Sequence, residues 1–128
     1  MTRQGDTFIE LNDRADVANN AGADLFVALH CDSNPNPSRQ GFTVYIARSP
    51  SEASRRLARS IENAMSSSGI KSNGIQGQDY RVLVRTSCPA VLVECGFLSN
   101  SWEASILDNA DHQDRISAAI ADAIIGNL

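Results

Sequence analysis

An α/β fold is what this sequence predicts: three layers, with a mostly parallel central sheet and helices on both of its faces. Two observations carry that expectation. The first is a pair of apolar runs, Leu25 to Leu29 and Ala90 to Val93, each closed by a single polar residue, His30 and Glu94. Continuous rather than alternating apolar character marks a strand buried on both sides, the habit of parallel sheets. The second is the order of elements along the chain: helix, strand, strand, helix, strand, strand, helix, with no repeat and no linker to divide it, hence one domain over residues 1–128.

Met1-Thr2-Arg3, ahead of Gly5-Asp6, reads as the tail of a strand. Thr7-Phe8-Ile9-Glu10 has the spacing of a capping box. Leu11, Ala15, Ala18 and Ala21 follow at helical intervals until Gly22 stops them. Leu25 to His30 is the first buried strand. Cys31 to Gln40, rich in Pro, Asn and Ser, leaves room only for a loop. Phe42, Val44 and Ile46 alternate with polar or small neighbours and mark a strand nearer an edge. Ser49-Pro50-Ser51-Glu52 predicts a helix start, with Ser49 as cap and Pro50 in the first turn. Ala53, Leu57, Ile61, Ala64 and Met65 form the inner stripe of that helix, which ends at Gly69. Ile70 to Asp79 reads as a second polar loop and Tyr80 to Val84 as a strand. Pro89 to Glu94 is the most apolar strand. Trp102 to Leu107 is a short helix. Asp111 to Ile125 is the last, with Ile116, Ala119, Ile120, Ala123 and Ile124 on one face.

Composition removes several function classes. The 128 residues are 42% apolar and 20% charged, enough for one soluble domain with a core. The net charge of −4, with no basic cluster beyond Arg55-Arg56 and Arg59, gives no footprint for nucleic acid. Those arginines fit the wet face of a helix. No apolar run is long enough to span a bilayer, and the polar start Met1 to Asp6 carries no signal-peptide pattern. Cys31, Cys88 and Cys95 are odd in number, lie in apolar stretches and match no zinc-ribbon or CxxC spacing. They read as small buried hydrophobes. Oligomeric state is not legible.

The chemistry concentrates at two strand ends. A buried strand gains no stability from ending in a carboxylate, because desolvating that charge costs several kcal/mol unless something pairs with it, on the order of the cost of any buried ion. Ligands of open α/β sheets bind beyond the carboxyl ends of the strands. If the two apolar strands are parallel, His30 and Glu94 share one rim. An imidazole and a carboxylate there suit metal-assisted hydrolysis. The bland alternatives are a Glu94 that escapes into a solvated turn at Gly96 and a His30 satisfied by a backbone carbonyl. A thiol hydrolase built on Cys31 or Cys95 with His30 as base is a further option. Cys31 would point away from its neighbour His30 on a strand. No G-x-S-x-G elbow is present for a serine hydrolase.

Five segments together resemble, in order, the zinc-dependent N-acetylmuramoyl-L-alanine amidases of the amidase-3 type. They are Thr2 to Asp6, Leu11 with Arg14 and Ala18-Asn19, Ala23 to Cys31, Gly41 to Tyr45, and Pro89 to Asn100. The last, from Leu92 on, is the most specific. The resemblance implies a peptidoglycan hydrolase that cuts the amide between the lactyl group of N-acetylmuramic acid and L-alanine of the stem peptide. It implies Zn²⁺ as cofactor, His30 as a metal ligand and Glu94 as the catalytic base. It implies two further ligands, a His in a Gly-His-Gly-Gly turn and a Glu after it, that have no counterpart here; His112 matches neither. Asp32 stands where the family usually has Asn. The expectation is therefore an amidase domain lacking the family's first strand and helix, inactive or weakly active by itself. The alternative is a catalytically silent peptidoglycan-binding or regulatory relative. The substrate implies an extracellular, cell-wall or periplasmic location, or a cytoplasmic phage-type lysin.

Overall fold

The computed structural model describes all 128 residues. In chain order the elements are α1 (Leu11–Asn20), β1 (Phe26–Asp32), β2 (Phe42–Ile46), α2 (Glu52–Ser67), β3 (Ser72–Gly77), α3 (Arg81–Arg85), β4 (Ala90–Phe97), α4 (Ser101–Leu107) and α5 (Ala110–Ile125). The four strands form one sheet in the order β1-β4-β2-β3. β1 runs parallel to β4 and β2 parallel to β3, while the central β2–β4 pair is antiparallel.

Both faces of the sheet are covered. On one, Phe42, Val44, Ile46, Val91 and Val93 pack against Leu57, Ala58, Ile61 and Met65 of α2 and against Ile116, Ala119, Ile120 and Ala123 of α5. On the other, Phe26, Ala90 and Leu92 pack against Ala18 of α1 and against Val82 and Leu83 of α3. This is why β4 is unbroken apolar from Ala90 to Val93: successive side chains enter different cores. Each large side chain fully buried there contributes about 1.5–3 kcal/mol. The inner stripe of α2 also includes buried Ser54, whose hydroxyl accepts from Ala90 N at 3.1 Å and ties the helix to the start of β4.

The structure corrects the sequence-based expectations in several places. Tyr80 to Val84 is not a strand: Arg81–Arg85 is a short helix that buries Val82 and Leu83 on the same side. The expected loop 70–79 contains β3, whose Ser-Asn-Gly-Ile-Gln-Gly sequence has no apolar period and is held by backbone pairing to β2. β2 is interior, not near an edge. The cap of α2 is Ser51, which accepts from Ser54 N at 3.0 Å, rather than Ser49. Glu10 precedes α1 without a side-chain cap, and residues 1–10 form no strand. Cys31 is exposed, while Cys88 and Cys95 are half-buried, and all three are free. Arg55, Arg56 and Arg59 lie on the exposed face of α2 as expected.

Candidate active site

His30 and Glu94 are in-register partners across the parallel β1–β4 pair. Their Cα atoms are therefore about one strand spacing apart, roughly 4.8 Å, with side chains on the same face of the sheet. On the other side of β4, Thr43 of β2 is the partner of Glu94 and is buried. The two polar terminators thus share a rim. Just beyond them the β1–β4 register slips: His30 pairs with Glu94, but Asp32 pairs with Phe97. One extra residue enters β4 there, a bulge of the sort that bends a strand and re-aims its side chains.

Burial is the larger reason that the Glu94 carboxyl is pushed up to about 7, and the charge of Asp32 adds to it. Its Oε2 atom is buried with no hydrogen-bond partner. An orphaned buried oxygen costs about 1–3 kcal/mol and needs a reason beyond stability. The His30 imidazole is pushed the opposite way, below its usual value, by burial first and then by the charges of Arg14 and Arg3. Both arginines are held locally: Arg14 Nε donates to Ile9 O and Arg3 Nη1 to Thr7 O, each at 2.8 Å. The rim therefore offers a neutral imidazole, the form that donates a lone pair to a metal, beside a carboxyl poised to carry a proton near neutral pH.

One wall of the rim is the loop 33–40, fastened to the turn that follows β4. Leu98 N donates to Asp32 O at 2.8 Å and Asn34 N to Ser99 Oγ at 2.9 Å. Asn100 Nδ2 donates to Pro37 O at 2.8 Å, and the Arg39 guanidinium lies 5.5 Å from the Phe97 ring centre. The polar end of the Pro89–Asn100 segment thus builds the wall of the site. Only the start of 70–79 reaches this rim, where Ser72 pairs with Phe42; Asp79 accepts from Arg48 N at the far end of β2. A cavity of about 600 Å³ lined by Ser51, Ser54 and Ala90 also opens at that far end, away from His30 and Glu94.

The residues present do not complete a zinc site. No three His, Cys, Asp or Glu side chains gather into a metal-holding group, and a catalytic zinc needs about three protein ligands. His30 suits one of them. His112, at the start of α5, is not brought to the rim by any pairing. The thiol option loses ground: burial pushes Cys95 up to about 12, and Cys31 is also raised, so neither is a ready nucleophile. The sequence reading missed Thr43, the effect of Asp32 and the buried Glu103. The last had a signal, since Asn100-x-x-Glu103 has capping-box spacing.

A sequence-family profile described as N-acetylmuramoyl-L-alanine amidase matches residues 1–126. The amidase LytC of Bacillus subtilis (strain 168) is 32% identical over 127 residues, which span 98% of this chain and 26% of that protein. The endolysin of Bacillus phage SPP1 is 36% identical over 130 residues, 97% of this chain and 47% of its own length. The present chain thus spans about a quarter to a half of these curated relatives. Among solved structures, the catalytic domain of CwlV, an N-acetylmuramoyl-L-alanine amidase from Bacillus (Paenibacillus) polymyxa var. colistinus, superposes with a TM-score of 0.89 at 36% identity. That match covers 96% of this chain and 68% of the other. An N-acetylmuramoyl-L-alanine amidase from Clostridium difficile 630 gives a TM-score of 0.94 at 30% identity, covering 97% and 68%.

Proposed function

The chain belongs to the N-acetylmuramoyl-L-alanine amidase family, and from that premise we propose that it serves peptidoglycan hydrolysis at the bond between the N-acetylmuramic acid lactyl group and L-alanine. The observation that carries this reading is the in-register pairing of His30 with Glu94, whose Oε2 is buried and without a partner. Glu94 accepts the proton of the attacking water as its oxygen bonds to the carbonyl carbon. It then returns that proton to the nitrogen of L-alanine as the C–N bond breaks. A carboxyl near 7 is matched to both halves of that transfer. His30 would be the ligand this chain contributes to Zn²⁺, and the ion would supply polarisation of the scissile carbonyl and acidification of water. The open rim walled by loop 33–40 suits a polymer substrate better than an enclosed pocket would.

A zinc held at His30 would need further donors, because no second and third ligand accompany it. That same incompleteness favours a second reading, a relative that binds peptidoglycan without cutting it. Incubating the 128-residue chain with Zn²⁺ and purified peptidoglycan separates the two: one measurement follows release of stem peptide, the other follows co-sedimentation with the wall. Weak release supports an incomplete amidase. Binding with no release under any supply of donors supports the silent relative. Robust release would overturn the need for further ligands. A reading as wall enzyme places the protein at the cell surface or, in a phage setting, in the lysing cell. No helix is long and apolar enough to cross a membrane.

A further inference from the structure

Glu103 is a carboxylate with 5% of its surface exposed, and none of the chain's ion pairs includes it. Its partners are backbone amides. Gly41 N donates to both of its oxygens, at 2.9 and 3.1 Å, and Phe97 N donates to Oε1. Phe97 lies in β4 and Gly41 directly precedes β2, the two strands that pair at Glu94. The antiparallel β2–β4 register has its last pair at Thr43 and Glu94. Counted onward, the next strand positions would bring Gly41 opposite Gly96. The Glu103 carboxylate occupies that place instead. A Cβ on Gly96 would lie 2.7 Å from Glu103 Oε1. Gly41, at φ 100°, takes a backbone conformation that side chains rarely adopt.

We propose that Glu103 is a positioning residue for Glu94: its carboxylate is a wedge that splits β2 from β4 directly after the Thr43–Glu94 pair and holds the bulge that aims Glu94. The physical need is clear. A bulge and a fork both leave backbone N–H groups without strand partners, and a buried unpaired N–H is costly. A carboxylate accepts several charge-assisted hydrogen bonds at once, which no neutral side chain does as well. Gly96 is fixed as glycine by the closeness of that carboxylate. α4 holds Glu103 in turn, because its cap Asn100 accepts from Glu103 N at 2.9 Å and also binds the wall at Pro37 O. One short helix therefore sets both the rim that carries Glu94 and the wall beside it.

The catalytic part of this inference rests on the amidase reading; the structural part does not. The test compares the wild-type chain with Glu103→Gln and Gly96→Ala, both expected to fold with native circular dichroism. Glu103→Gln keeps the shape but turns an N–H donor toward the Gly41 or Phe97 amide. Backbone NMR should show both amides shifted upfield and exchanging about tenfold faster, with Thr43 and Glu94 also shifted and the far end of the sheet unchanged. Gly96→Ala should displace the wedge from the other side and reproduce that pattern. In an amidase whose ligand set is complete, the same substitutions should lower kcat about tenfold or more while KM stays level, the mark of a misplaced reacting group. Unchanged Gly41 and Phe97 amides in Glu103→Gln would overturn the proposal, as would a KM rise without loss of kcat. Absence of turnover in an amidase whose ligand set is complete would strike the amidase reading alone, since the amide measurements on the 128-residue chain decide the wedge without it.

Discussion

Asp32 brings a second carboxylate to the rim on which Glu94 sits, and its charge adds to burial in holding the Glu94 proton up to about 7. The Asp32 side chain accepts from Ser33 N at 2.7 Å and so is fixed at the end of β1. Asp32→Asn removes the like charge and keeps the acceptor. The Glu94 midpoint, followed by carboxyl ¹³C NMR in the presence of a chelator, should then move down. It should stop above the ordinary value of 4.5, because burial is the larger cause and is untouched. A midpoint that stays put or rises would contradict this.

The same group makes stability depend on pH. A carboxyl whose folded value is raised holds its proton in the folded chain after the unfolded chain has released it. Between 4.5 and about 7 the unfolded state therefore binds fewer protons, and rising pH favours unfolding. The penalty is absent below that window and complete above it. Glu94→Gln should raise the melting temperature of the metal-free chain at pH 8, by an amount worth about 1 kcal/mol once solvent screening of a half-exposed group is allowed for. At pH 4 its advantage should vanish. Equal gains at both values would mean that the substitution acts through packing and not through charge.

Replacing Glu94 and replacing His30 should have separable effects in an amidase whose ligand set is complete. Glu94→Ala should cost about 10²–10⁴-fold in turnover, the usual contribution of a proton-transfer group, and leave zinc content near wild type. His30→Ala should lower both. Zinc measured by atomic absorption beside stem-peptide release distinguishes them. Wild-type turnover in Glu94→Ala would remove Glu94 from the reaction.

The sequence made the two site strands readable because their surroundings demand it. β4 feeds Val91 and Val93 into one core and Ala90 and Leu92 into the other, so nothing polar is tolerated until Glu94. Tyr80 to Val84 misled because its apolar part, Val82 to Val84, is too short to carry a period that separates strand from helix. Here Val82 and Leu83 are buried while Val84 is exposed, as a helical turn allows. β3 was invisible because its side chains contribute little and its backbone pairing with β2 contributes most. Glu103 left only the local trace of its capping-box spacing from Asn100, because the contact that makes it a wedge, the Gly41 amide, lies 62 residues away in the chain.

Asn19 joins α1 to the end of α3 by two hydrogen bonds. Its Nδ2 donates to Arg85 O at 3.0 Å, and its Oδ1 accepts from Ser87 N at 2.8 Å. The neighbouring Arg85–Asp16 ion pair spans the same two helices but is exposed to solvent, where such pairs contribute little. Asn19→Ala should therefore destabilise the chain by about 1 kcal/mol, read as a lower urea midpoint at unchanged slope. Asp16→Asn should move that midpoint less. The reverse order would make the ion pair, and not the amide, the tie between the two helices.

β1 closes one side of the sheet, with β4 as its only strand neighbour. It presents a seven-residue edge with no Pro and no Lys, and Leu29 on it is 58% exposed. Such an edge is a template for pairing with another chain, and natural edges are commonly blunted by a charge. Leu29 faces away from His30 on the strand, so a change there leaves the rim alone. Leu29→Lys should keep the monomer's circular dichroism and reduce self-association as concentration rises, read by sedimentation velocity. If the wild-type chain stays monomeric at every concentration tested, or if the lysine variant associates as strongly, then β1 is not the surface through which copies meet.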